Sequence, residues 1–181
     1  MKFKKFKFKK VRSTNNTAIR IIKKTNCKYG MVISESQTNG KGQYGRKWIS
    51  YKGNLFVTFF HEVNKIKLSI ATITKLNCLL IKKLISKYTY KKILYKKPND
   101  LFIDKKKICG ILQEIIFKQN KKYLITGIGI NINKSPYIKK CPTTNLNELT
   151  NKHIKINEIE KSLKQIFENN LLKMYNLKVY N

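Results

Sequence analysis

The segment from Gln37 to Trp48, QTNGKGQYGRKW, sets Gly40, Gly42 and Gly45 among the cations Lys41, Arg46 and Lys47. Glycine allows positive φ and close approach of the backbone to a ligand. Converging N–H groups in such a turn form an anion-binding concavity, so the chemistry on offer is capture of a phosphate or a carboxylate. A GxGxxG spacing belongs to a dinucleotide fold only where it follows a strand and opens a helix. YGMVISES upstream has strand character, but NLFVTFF downstream is a second strand. The pattern is therefore a glycine loop between two strands. Hairpins rich in glycine also occur without a ligand, and the loop alone leaves the function open.

Other stretches carry residues able to do chemistry. In Arg12-Ser13-Thr14-Asn15, Ser13 or Thr14 suits the N-cap of the helix that AIRIIKK continues. In KKPNDLFIDKKKICGILQE, Lys96 to Glu114, Pro98 biases Lys97 towards an extended conformation. Asn99 and Asp100 suit a tight turn. LFID and KICGILQEIIF, joined by charged residues at 104–107, form a predicted hairpin. Gly110 within it signals close approach of another backbone or a ligand. By residue type alone, Lys107 is a solvated lysine beside Lys105 and Lys106. In YLITGIGININ, Tyr123 to Asn133, Gly127 and Gly129 share one strand face. That face has room for a flat ligand, or marks a bulge. Trp48, the sole tryptophan, either packs under the loop or joins the core.

The elements that must position these residues follow from periodicity. Lys2 to Val11 alternates phenylalanine and lysine, as a strand with one buried face does. Residues 30–36 and Leu55 to His61 are strands on either side of the glycine loop, with Trp48 to Gly53 as a turn. Ile73, Leu76, Leu80 and Leu84 recur at helical spacing within Leu68 to Tyr88, the longest helix expected. Residues 92–95 form a short strand and 143–149 a short helix. Asn157 and Glu160 have capping-box spacing. The helix they open turns Ile159, Leu163, Ile166 and Phe167 inward and ends near Tyr175.

A length of 181 residues, 41% of them hydrophobic, suits one domain with a real core. No apolar run reaches the length of a membrane span, and MKFKKFKFKK resembles no signal or transit peptide; a cytoplasmic protein is expected. Cys27, Cys78, Cys109 and Cys141 form no CxxC pair, and His61 and His153 lie far apart. Reduced thiols packed as small hydrophobes are expected, with no bound metal. The net charge of +31 admits a nucleic-acid partner. It is also what A/T-rich codons for Lys, Asn, Ile, Tyr and Phe produce. The charge is spread along the whole chain, which favours the second explanation. Either way it attracts anionic substrates and acidic partners.

RSTNNTA, QTNGKGQYGRKW, KPNDLFIDKKKICGILQE and GIGININ, in that order, resemble the catalytic domain of the biotin–protein ligases from about residue 8 to 175. The resemblance implies an α/β (α+β) fold of the class II aminoacyl-tRNA synthetase type, a mixed sheet backed by helices. It implies that biotin and ATP, as its Mg²⁺ complex, give biotinyl-AMP. A lysine of a biotin carboxyl carrier domain, of acetyl-CoA carboxylase type, then takes the acyl group. By resemblance, Ser13, Thr14, Asn15, Gln37, Gly40, Lys41, Gly42, Gln43, Lys107 and Gly110 bind biotin. Arg46, Trp48, Asn99, Asp100 and Asn131 lie on the ATP side. Lys107, Lys41 and Asp100 are the catalytic candidates: Lys107 as a cation between carboxylate and α-phosphate, Asp100 towards Mg²⁺. An adenylate mechanism needs no side-chain nucleophile, which agrees with the absence of a Ser–His–Asp or Cys–His signature.

Three departures from the family pattern stand out. Lys41 and Gln43 occupy positions usually held by arginine, so Gln43 weakens the expected grip on the adenylate. Lys97 replaces a tryptophan before Pro-Asn-Asp. A small C-terminal β domain is expected to be absent or a stub, and no DNA-binding segment is expected before Arg12. Homodimerisation through a sheet edge is compatible with the pattern. Rival readings are a lipoate or octanoate ligase or transferase of the same fold, a basic nucleic-acid-binding protein, and a ligase-like protein with little turnover.

Overall fold

The computed structural model describes residues 2–63 and 68–175, with side chains to residue 170. Nine strands and four helices follow in chain order. They are β1 (Lys4–Phe8), α1 (Thr14–Lys24), β2 (Tyr29–Ser34), β3 (Gly40–Lys41), β4 (Lys47–Trp48), β5 (Leu55–Glu62), α2 (Ile70–Ile85), β6 (Ile93–Lys96), β7 (Asp100–Ile103), β8 (Lys106–Lys118), β9 (Lys121–Ile130), α3 (Leu146–Thr150) and α4 (Ile156–Tyr175). Seven strands form one sheet in the order β1-β2-β5-β9-β8-β7-β6. β1 runs parallel to β2, and the remaining neighbours are antiparallel. The sheet is therefore mixed, as the α/β expectation required.

Strand alternation decides what each face buries. Met31, Ile33, Val57, Phe59, Ile111, Ile128 and Ile130 point to the face covered by α2 and α4, where Cys78, Ile81, Leu163 and Phe167 meet them. Phe59 stacks on Phe167 with ring centroids 4.2 Å apart. Val32, Phe60, Tyr123 and Ile125 point the other way and pack under Ala18 and Ile22 of α1. Beyond α1 the second face changes character. Its inward positions become Thr58 on β5, Gly127 and Gly129 on β9, and Gly110 on β8, and the cleft described below opens there.

Several expectations shift. Trp48 is paired with Gly40 in the β3–β4 hairpin rather than lying in a turn. α4, with 20 residues, is longer than α2, with 16. Leu76 and Leu80 of α2 are only half-buried, and Ile73, Cys78, Ile81 and Leu84 form the buried stripe. No capping box opens α4, because Asn157 already lies within the helix. Glu160 instead pairs with Lys5 of β1. The β7–β8 turn is tighter than 104–107: Asp104 and Lys105 take positive φ of 48° and 62°, so Lys106 and Lys107 belong to β8. β9 carries no bulge against either neighbour.

His61, 3% exposed, has its pKa lowered by desolvation from 6.5 to about 3. The folded state thus excludes a proton that the unfolded chain accepts below pH 6.5. Stability is full above that value and falls as pH drops towards 3, by up to about 1.4 kcal/mol per pH unit from this group. Urea unfolding across that range should show this slope, and His61→Phe should flatten it. An unchanged slope in the variant would contradict the assignment.

Candidate active site

Ser13 starts α1 as its N-cap, with extended backbone and its Oγ accepting from the Asn16 N–H at 3.5 Å. The first turn of α1 therefore stands at the edge of the glycine-floored part of the sheet. Thr14 donates twice to Gln37 Oε1, from its N–H at 2.8 Å and its Oγ1 at 3.0 Å. Gln37 Nε2 donates to Ser50 Oγ at 3.0 Å. The loop is thereby tied to the helix start at one end and to the segment after β4 at the other. Gly40 is buried in this knot: a Cβ there would lie 2.6 Å from the Trp48 carbonyl oxygen.

A cleft of about 630 Å³ lies between the glycine loop, the first turn of α1, the β7–β8 hairpin and the segment after β9. It gathers Ser13, Thr14, Asn15, Gln37, Lys41, Gly42, Gln43, Arg46, Trp48, Asn99, Asp100, Lys107, Gly110 and Asn131, every candidate residue except Gly40. Four stretches separated along the chain thus form one wall. Lys96, Lys97 and Lys140 join Lys41, Arg46, Lys47 and Lys107 as lining cations, against Asp100 as the single lining carboxylate among the described residues. Such a cleft attracts polyanions and disfavours cations.

On its wall the Lys107 ammonium lies 2.7 Å from Asp100 Oδ1, with both side chains under 20% exposed (18% and 19%). Register explains the meeting. Asp100 pairs with Gly110, and a shift between Leu101 and Phe102 brings Lys107 opposite Phe102. The Lys107 ammonium also sits 5.2 Å from the centroid of the Trp48 ring. The indole occupies the glycine face: a Cβ on Gly129 would lie 2.4 Å from it and one on Gly110 2.6 Å. The room left by Gly110 and Gly129 is thus filled by the chain's own aromatic ring. Trp48 Nε1 is buried without a partner.

Asn131, 1% exposed, has a scaffolding role. Its Nδ2 donates to the Thr144 carbonyl at 3.1 Å. Together with Lys107 N–H to Pro142 O (2.7 Å) and Thr144 N–H to Lys107 O (3.0 Å), this lays residues 142–144 along the start of β8. Nothing in the type or spacing of Pro136 to Thr143 announces a cleft wall, and sequence reasoning missed it. It also missed Thr58 and Glu114, both bonded to Asn15. Asn99 Nδ2 donates to the Ile111 carbonyl at 2.6 Å. Cys109 is fully buried, its thiol pKa pushed well above the ordinary value by desolvation, which suits filler and not a nucleophile. Among the described residues no cluster of three His, Cys, Asp or Glu could hold a metal.

A mixed sheet backed by helices is the class II aminoacyl-tRNA synthetase-like architecture, here with a cation-lined cleft on the glycine face. The profile of the biotin/lipoate A/B protein ligase family matches residues 7–131, and the chain belongs to that family. The biotin protein ligase from Aquifex aeolicus, solved in complex with biotin and ATP, is 30% identical. That alignment covers 94% of this chain and 71% of that one, with a TM-score of 0.77. The bifunctional ligase/repressor BirA of Escherichia coli K12 is 29% identical over 102 residues, 55% of this chain and 32% of that protein. BirA of Bacillus subtilis 168 is 29% identical over 126 residues, 68% of this chain and 39% of that protein. The chain thus spans only 32–39% of the length of these curated relatives.

Proposed function

We propose that this chain activates biotin with MgATP as biotinyl-5′-AMP and transfers it to a lysine of a biotin carboxyl carrier domain of acetyl-CoA carboxylase type. The observation that carries the reading is the Lys107–Asp100 pair on the wall of a cation-lined cleft. Joining a carboxylate to an α-phosphate brings two anions together, and a fixed cation between them offsets that repulsion. Lys107 is held for this by Asp100, by its backbone bonds to residues 142–144 and by the Trp48 ring. When substrates enter, Lys107 exchanges its Asp100 partner for substrate oxygens. Asp100 is then free to accept a hard cation such as the nucleotide's Mg²⁺, which carboxylate oxygens suit.

Lys41, Gly42 and Gln43 line the cleft from the glycine loop, where Arg46 adds charge towards the nucleotide. Ser13, Thr14, Asn15 and Gln37 supply the polar end of the acid site, with Thr14 bonded to Gln37, Asn15 to the sheet and Ser13 to the Asn16 N–H. Binding energy is then not spent on ordering them. The proposal takes the protein as cytoplasmic, without nucleic-acid or membrane partners and free to dimerise. Among the described residues no helix is long and apolar enough to cross a membrane.

Exchange of labelled pyrophosphate into ATP tests the reading. Exchange should require biotin, and lipoate or octanoate should not replace it. Lipoate-dependent exchange without biotin-dependent exchange would transfer the assignment to the lipoate branch of the fold.

A further inference from the structure

We propose that Glu114 and Thr58 are positioning residues that fix the Asn15 carboxamide so that it offers the cleft an acceptor, and that this lock selects an acid whose head group carries a urea N–H. The inference rests on reading the cleft as the biotin site.

Asn15 is 3% exposed and lines the cleft beside Gly127. Its Nδ2 donates to Glu114 Oε2 at 2.6 Å and to the Leu112 carbonyl at 3.5 Å. A carboxylate and a carbonyl can only accept. The NH₂ end of the amide must therefore face β8, and no rotation of the amide by half a turn satisfies both partners. Oδ1 then points the other way, where Thr58 Oγ1 donates to it at 2.6 Å. Both amide hydrogens are used within the protein. Oδ1 has two lone pairs, and among the described residues Thr58 is the one donor to it. Oδ1 itself lies over Gly127, where an added Cβ would come within 2.2 Å of it, and both residues line the cleft. The missing side chain at 127 thus leaves room for this oxygen on the cleft floor.

An oxygen held in this way pairs with an N–H donor and is left unpaired by a head group without one. A cyclic urea has two N–H groups, and a dithiolane or a plain alkyl chain has none. A buried acceptor left unpaired disfavours the wrong ligand. Glu114 and Thr58 do not line the cleft; they act through Asn15.

Calorimetric titration of the full chain with biotin, its two mono-N-methyl ureas and ATP tests this. For the wild-type protein, methylation of one nitrogen should weaken binding about tenfold or more. Glu114→Ala should weaken biotin about 10- to 100-fold and shrink the methylation penalty, with ATP binding unchanged. Glu114→Gln, which can still present an accepting oxygen, should recover most of the biotin affinity. The lock is refuted if Glu114→Ala binds biotin as the wild type does, or loses biotin and ATP affinity equally. Should Glu114→Ala not fold, Thr58→Val and the wild-type methyl series decide; both methyl ureas binding like biotin would overturn the proposal. Absence of any biotin binding by the wild type would instead defeat the assignment of the cleft itself.

Discussion

Replacing Lys107 by alanine is expected to lower biotin-dependent pyrophosphate exchange by about two to three orders of magnitude, the size of effect seen when a preorganised charge-stabilising group is removed. The ammonium is held 2.7 Å from Asp100 and 5.2 Å from the Trp48 centroid, with 18% of its side chain exposed. A water that fills the space left by the side chain carries no charge and cannot replace the cation. The adjacent Lys106 supplies the control. Its side chain is 49% exposed, and its nearest carboxylate, on Glu148, is 3.9 Å away. Exposed pairs of that kind contribute about 0–1 kcal/mol, so Lys106→Ala should leave exchange near the wild-type rate. Lys107→Arg keeps the charge but changes its shape, and should fall between the two. Equal effects of the Lys106 and Lys107 substitutions would reduce Lys107 to one surface cation among many. Melting temperatures separate loss of chemistry from loss of fold.

Gly129→Val is expected to eject the Trp48 indole and to lower exchange by about a hundredfold, the cost of displacing positioning groups by about an ångström. A Cβ at 129 would stand 2.4 and 2.5 Å from two ring carbons of Trp48, closer than real contacts allow. The ring is the rigid body of a half-buried side chain and cannot bend away, so it must move as a whole. Its Nε1 has no partner where it lies, so release to water gains a hydrogen bond and offers the ring an alternative place. With the ring would go the contact to the Lys107 ammonium and the seating of the β3–β4 hairpin on the sheet. Trp48 is the only tryptophan, so its emission reports the move directly: a red shift in Gly129→Val, with the far-ultraviolet circular dichroism retained. Unshifted emission would mean that the floor of the cleft adapts to a side chain at this position.

Much of this molecule was open to reading from residue order. The strands around the glycine loop, the β7–β8 hairpin and the helices from Thr14, Ile70 and Ile156 follow from local periodicity and turn chemistry. These are properties of neighbours a few residues apart. The candidate residues came from the resemblance that four short motifs bear to a known family, and all but Gly40 line one cleft. The capping box at Asn157 does not form because the helix already begins at Ile156, and Glu160 meets a distant partner, Lys5 of β1.

What the chain order could determine, then, was which segments carry chemistry and which elements hold them. Only the tertiary structure decided what stands opposite each glycine: Trp48 over Gly110 and Gly129, Asn15 over Gly127. It also decided that Asn15 answers to Thr58 and Glu114, 43 and 99 residues away, and that Lys140, Cys141 and Thr143 wall the cleft that Lys107 lines. The physical reason is that a glycine records a close approach without recording by whom. A hydrogen bond between distant residues leaves no periodicity in the chain, and its partners become known only when the sheet brings them together.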